Sequence, residues 1–290
     1  MRNVLKWIGI SIGAITVILI VALSLMIYKV KYGFPFYDKT PPSLELEKEE
    51  ITVLLYTKAN GFVHEEGIAA GKKMFQKIAN KNGWKLVISE NGALFNKEQL
   101  PYFDVVIWNN VTGRTLNSEQ QSAFKKYMEE GGNFIGIHGT GDDSHHWPWY
   151  YDELIGAHFS HHSMNPQMQI GTMKRECSDS FTSCSKLPET WSQEEEWYVF
   201  FDNPRDLGAT ILYTVDESNL VTNGNVPYLV RDKDFGMGDH PVIWYRCLQG
   251  GGKSFYSALG HGAKTFENIT FEKIMVNAIG WASNPLIECK

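Results

Sequence analysis

Gly132-Asn133-Phe134-Ile135-Gly136-Ile137-His138-Gly139-Thr140-Gly141 is the stretch whose reading decides the fold: an apolar run that ends in a glycine-rich turn carrying a histidine. A short apolar run bounded by glycines reads as a strand buried on both faces. Upstream, Ile51–Tyr56, Trp84–Ser89 and Asp104–Asn109 have the same form. Between them lie amphipathic stretches at Glu66–Asn82 and Ser118–Glu130, with a short helix expected near Lys97. Gly83 and Gly131-Gly132 stand where a left-handed cap would end a helix. This alternation predicts an α/β fold with a central parallel sheet flanked by helices. Downstream of Tyr150 it weakens, leaving strands at Met168–Met173, Ala209–Val215, Pro241–Cys247 and Lys253–Ala258 between long loops. A helix at Glu267–Trp281 closes a single domain spanning 51–282, and 283–290 forms a tail.

The N-terminal region obeys different rules. Ile8–Tyr28 carries no charge, and as a helix it would extend roughly 30 Å, the thickness of a bilayer core. Residues 1–31 therefore read as a membrane anchor, with its transmembrane helix at about 8–28. A cleaved signal peptide competes with this reading, but the run continues through Leu25–Tyr28 past its one weak cleavage site, Ala22-Leu23-Ser24. Residues 32–50, with Pro35, Pro41, Pro42 and a charged LELEKEE segment, read as a stalk. Arg2 and Lys6 on one side nearly balance Lys29 and Lys31 on the other. Export of the domain is the preferred topology, partly because Cys177 and Cys184 could close a small disulfide loop in an oxidising compartment, although two free thiols fit equally. Cys247 and Cys289 have no evident mates. A net charge of −6 gives nucleic acid no electrostatic reason to bind.

Ligands of open parallel sheets sit beyond the carboxyl ends of the strands. Histidines recur there: His64 after the first strand, His138 after the fourth, and His261 after Lys253–Ala258. Three strands delivering imidazole to one edge is more than core packing requires. Imidazole serves as a general acid or base and as the commonest metal ligand, so the set permits either chemistry. His145, His146, His158, His161 and His162 follow in the middle of the chain; His145, His146 and His161 read as exposed loop residues, whereas His158 and His162, four apart, could share a face. Carboxylates enter at Asp142-Asp143 and in Glu194-Glu195-Glu196, where the last residue precedes Trp197-Tyr198 and could turn inward with them. Aromatic faces such as these suit sugar rings, though a packed loop core explains them as readily. At the glycine-rich turn His138 takes the place of a Ser or Cys nucleophile, and Gly139 would let backbone N–H groups approach a ligand oxygen.

Gly61-Phe62-Val63-His64, the Gly132–Gly139 segment, Leu154-Ile155-Gly156-Ala157 to His162, Glu196-Trp197-Tyr198, and Pro241–Trp244 through Ala258-Leu259-Gly260-His261 occur in an order that resembles the ThuA-like, or trehalose-utilization, family. The resemblance covers about Ile51 to Trp281. It implies a flavodoxin-like, class I glutamine-amidotransferase-like fold without that superfamily's catalytic cysteine. It also implies a role in carbohydrate metabolism, as a hydrolase or lyase acting on sugars or keto-sugar glycosides. The residues expected to carry catalysis are His64, His138, His261 and Glu196. Those expected to hold substrate are His158, His162, Trp197, Tyr198 and Gly139, with a divalent metal such as zinc as a candidate cofactor. A non-catalytic glycan-binding or scaffold protein is the alternative. Oligomeric state is left open.

Overall fold

In the computed structural model, residues 2–44, 51–177, 184–226, 233–287 and 289 are described. Helix α1 (Arg2–Tyr32) is followed by β1 (Thr52–Tyr56), α2 (Glu65–Asn82), β2 (Lys85–Ser89), β3 (Val105–Asn109), α3 (Ser118–Glu129) and β4 (Asn133–Ile137). Then come β5 (Phe159–His162), β6 (Gln169–Arg175), β7 (Thr190–Glu195), β8 (Tyr198–Phe200), β9 (Thr210–Asp216), β10 (Pro241–Cys247), β11 (Lys253–Ser257), α4 (Ala263–Glu267) and α5 (Ile269–Ser283).

Among the described residues, nine strands form one sheet in the order β2-β1-β3-β4-β11-β10-β9-β6-β7, and β5 pairs with β8 separately. The first five strands of that order are mutually parallel. Every residue of β1, β3 and β11 is buried, as helices on both faces require. Helix α2 turns Met74, Phe75, Ile78 and Ala79 inward at helical spacing and ends at Gly83, which adopts the left-handed cap.

The expectation of a wholly parallel central sheet needs correction. Strands β10, β9, β6 and β7 run antiparallel to their neighbours, so the sheet is mixed. Residues 248–252, carrying Gly250-Gly251-Gly252, are too few for a parallel crossover and force a hairpin between β10 and β11. Toward the β6-β7 edge one face is covered, and β7 accordingly alternates, with Trp191, Gln193 and Glu195 buried. Two of those three are polar, which hides the alternation from a hydrophobic reading. Strands β5, β7 and β8 were not anticipated. Near Lys97 there is no helix; short 3₁₀ turns lie on either side, at Gly92–Leu94 and Leu100–Tyr102.

The described part of the supposed stalk, residues 33–44, lies along the domain. Gly92 N–H donates to Asp38 (2.8 Å), Gln120 Nε2 to the Asp38 carbonyl (2.7 Å) and Gln99 Nε2 to the Pro42 carbonyl (2.9 Å). Residues 45–50 fall outside the described set. Cys177 and Cys184 are joined in a disulfide, and so are Cys247 and Cys289, the pair for which no mates were foreseen.

The Cys247–Cys289 bridge ties the chain end to β10 across 42 residues of sequence. Constraining a loop of that length in the unfolded chain stabilises the fold by about 4 kcal/mol in the chain-entropy picture. Cys289→Ser should therefore lower the free energy of urea unfolding by roughly 2–4 kcal/mol; an unchanged unfolding midpoint would show that the bridge contributes nothing.

Candidate functional site

The carboxyl ends of β1, β4, β11 and β7 meet at one edge. His64 occupies the N-cap position of α2, where it makes no capping bond. His138 follows β4 directly, with φ +47°, the left-handed geometry of a sharp strand-to-helix turn. His261 follows β11 after Gly260, and Glu196 follows β7.

His138 Nδ1 lies 2.7 Å from the Ala258 carbonyl, which can only accept. The proton is thereby fixed on Nδ1, and in the neutral ring Nε2 presents a lone pair. That Nε2 is 3.1 Å from His261 Nδ1 and 3.5 Å from Glu196 Oε2, and the last two atoms are 3.2 Å apart. The rings of His64 and His138 stand edge to face at 4.9 Å, those of His64 and His261 at 5.0 Å. One ligand atom from each of His64, His138, Glu196 and His261 lies within 4.8 Å of all the others. His64 Nδ1 is buried and makes no hydrogen bond.

Around this core, Glu195 is fully buried and accepts from Gly260 N (2.8 Å), His261 N (3.1 Å), Thr265 Oγ1 (2.6 Å) and Glu196 N (3.0 Å). It holds the His261 loop and the start of α4 against β7. Asn110, in the left-handed region at φ +55°, accepts from Gly139 N (3.2 Å) and donates to the Gly260 carbonyl (2.9 Å), joining the loops after β3, β4 and β11. Glu196 Oε1 is met by His162 Nδ1 at 3.2 Å and by Gln167 Nε2.

Electrostatically the cluster is one anion among imidazoles. Burial opposes the charge on Glu196, but the His138 and His261 imidazoles beside it hold its carboxyl well below the usual range. Burial, reinforced by His138 and His261, keeps His64 well below its ordinary value and so neutral. For His261, burial is outweighed by the bond to Glu196, which raises it.

Of the expected residues, the structure brings together His64, His138, His261 and Glu196, with His162 at the margin. His158 stays apart, held between Asp152 (2.8 Å) and Asp202 (3.2 Å). Trp197 is buried; its indole donates to the Gln169 carbonyl and its ring covers Gly171, so it packs the sheet. Tyr198 is buried with its ring 4.3 Å from that of His138, which it backs. Gly139 is a cradle for His64: a Cβ there would come within 2.8 Å of the imidazole Cε1.

His145, expected on an exposed loop, is buried instead, with Nε2 donating to the Thr140 carbonyl; His146 is exposed and His161 half-buried. Sequence reasoning missed Glu195, Asn110 and Gln167. An Asn-Asn pair directly after a buried strand was the available signal for Asn110, since asparagine tolerates the left-handed region.

The family model described as Trehalose utilisation matches residues 52–282. Among solved structures, a ThuA-like protein of Bacteroides uniformis is 23% identical, with a TM-score of 0.67 over 84% of this chain and 95% of that one. Another from Parabacteroides merdae is 17% identical, with a TM-score of 0.58 over 81% and 91%. No curated protein matches the chain significantly.

Two predictions follow from these contacts. Gly139→Ala should displace His64 and weaken any ligand of the cluster at least tenfold while leaving far-UV circular dichroism intact; unaltered binding would free His64 from the site. Burial pulls His145 down to about 4, against backbone hydrogen bonds that raise it. Neutral His145 thus favours the fold fully above its unfolded value near 6.5 and progressively less as the pH falls toward 4. Between those limits wild type should lose up to about 3 kcal/mol more stability than His145→Asn, read from paired urea titrations; parallel pH profiles would contradict it.

Proposed function

We propose that this chain, which belongs to the ThuA (trehalose utilisation) family, is a membrane-anchored enzyme that acts on a sugar or keto-sugar glycoside through the His64, His138, His261 and Glu196 cluster. The observation that carries the reading is the triangle of 3.1, 3.2 and 3.5 Å between His138 Nε2, His261 Nδ1 and Glu196 Oε2. Ligands of a tetrahedral zinc ion, at bonds of roughly 2.0–2.2 Å, are spaced by about 3.3–3.6 Å.

The donor set fits a divalent cation such as zinc. His138 already gives its outer N–H to a carbonyl, as metal-bound histidines do. His64 is neutral and has a buried nitrogen without a partner. His138, His261 and Glu196 would hold the ion, with His64 facing it. A bound divalent ion supplies polarisation of a substrate oxygen and acidification of a bound water.

The chain's own residues do the rest. Neutral His64 can accept a proton from substrate or water. His162, beside Glu196 and partly exposed, can return one to a departing glycosidic oxygen. In hydrolysis the proton taken comes from water; in a lyase reaction it comes from the carbon next to the keto group, and the β-oxygen leaves. Against thiol chemistry of the glutaminase type stand the disulfides that pair all four cysteines and the histidine at the turn. A non-catalytic glycan binder would need an exposed aromatic platform, whereas Trp197 and Tyr198 are buried.

The anchor reading rests on α1, 31 residues long with no buried residue and a hydropathy high enough to span a bilayer. Export of the domain draws support from the two disulfides.

His138→Ala and Glu196→Gln should each reduce turnover of keto-sugar glycosides by about 10³-fold or more and strip divalent metal from the purified protein, with the unfolding transition retained. Full turnover in His138→Ala would remove the cluster from the mechanism; full turnover of metal-free wild type would leave acid–base chemistry alone.

A further inference from the structure

We infer that the rim of this site lies in the headgroup layer of the bilayer, with Phe62, Val63 and Phe36 as its contact residues. The inference rests on the anchor reading and adds a depth and an orientation to it.

Trp7 and Tyr28 are 21 residues apart, roughly 32 Å along a helix, and aromatic residues favour the two interfaces of a membrane. Tyr28 and Tyr32 thereby mark the interface on the domain side, with Lys29 and Lys31 at phosphate depth. The domain meets α1 at that level. Arg114, in the loop after β3, donates to Tyr28 Oη at 3.0 Å, and His146 stacks on Tyr32 at 5.0 Å. No flexible spacer intervenes: Gly33, at φ +65°, follows the helix directly, and a Cβ on it would stand 3.0 Å from Asn60 and from Gly113. Phe34 N–H donates to the Asn60 carbonyl, and Asn60 Nδ2 to that of Phe36.

Asn60 opens the loop that carries His64. That loop bridges to the Arg114 loop through Ala59 and Thr112, and Thr112 Oγ1 donates to the Phe62 carbonyl at 2.6 Å. Both loops are thus fixed to the end of α1. In them Phe62 is 45% exposed and Val63 39%, while Phe36, whose carbonyl accepts from Asn60, is 71% exposed. Apolar side chains flanked by Arg114, Lys29 and Lys31 suit an interface with anionic headgroups. The Phe62 ring lies 4.8 Å from that of His64, so the membrane-facing rim is also the edge of the cluster.

With all four native cysteines paired, single cysteines can be introduced into the full-length chain and labelled with NBD. The protein is reconstituted into phosphatidylethanolamine–phosphatidylglycerol vesicles containing either headgroup-nitroxide or mid-chain-nitroxide lipid. Phe62→Cys should be quenched by the headgroup nitroxide at least twofold more than Tyr102→Cys, which sits before β3 at the opposite edge of the sheet. Ile18→Cys, in the middle of α1, should be quenched by the mid-chain probe. Equal quenching at 62 and 102, with Ile18→Cys quenched, would overturn the orientation and leave the anchor standing. No lipid quenching at position 18 would overturn both.

Discussion

Two adjacent carboxylates, Glu195 and Glu196, enter the protein interior at the end of β7, and the rest of the site depends on how they are satisfied. Burying a carboxylate costs several kcal/mol unless hydrogen bonds replace its water. Glu195 meets that demand with two backbone N–H groups of the His261 loop, the Thr265 hydroxyl and the N–H of Glu196. In doing so it welds an antiparallel edge strand to a parallel one. Glu196 is satisfied by His261, His162 and Gln167, with His138 Nε2 3.5 Å away, so its charge gathers imidazoles at the sheet edge. The mixed sheet brings β7 to the edge, and the pair of glutamates locks it there.

The parallel half of the fold was legible because strands buried on both faces leave continuous apolar runs, and because Gly83 and Gly131 mark where helices stop. The histidines at strand ends were legible for the same reason: each run breaks abruptly into glycine and imidazole. The antiparallel half was not. Strand β7 turns Trp191, Gln193 and Glu195 inward, and two polar residues on a buried face leave no hydrophobic alternation. Glu195 therefore looked like part of a solvated run, whereas Glu194 alone is the surface member, paired with Lys264. Cys247 and Cys289 are too far apart in sequence to show their contact. His158 and His162 share a spacing, but the segment is an irregular strand in which only His162 reaches the cluster, and spacing cannot tell helix from strand across four residues. His145 was misplaced because the Trp108 ring that encloses it together with the nearby Tyr150 comes from β3, far upstream in the chain.

The turn after β4 shows how one fold can support a different chemistry. A residue at positive φ between strand and helix projects its side chain over the sheet edge, which suits a nucleophile. Here an imidazole occupies it, with Nδ1 tied to the Ala258 carbonyl and Nε2 turned toward Glu196. Fixing the tautomer converts the position from an attacking group into a lone-pair donor. The elements that support it are rigid and apolar, namely Tyr198 behind the ring and Tyr256 bonded to the His138 carbonyl. The geometry is thus preorganised before any ligand arrives.

The central claim is that these four side chains form a centre for a divalent cation, and calorimetric titration of the metal-free protein with zinc, in two buffers of different ionisation enthalpy, tests it most directly. A stoichiometry of about one ion per chain is expected, with protons released as the ion displaces them from the ligating groups. The absence of saturable heat, or binding that survives Glu196→Gln unchanged in affinity and proton count, would contradict it.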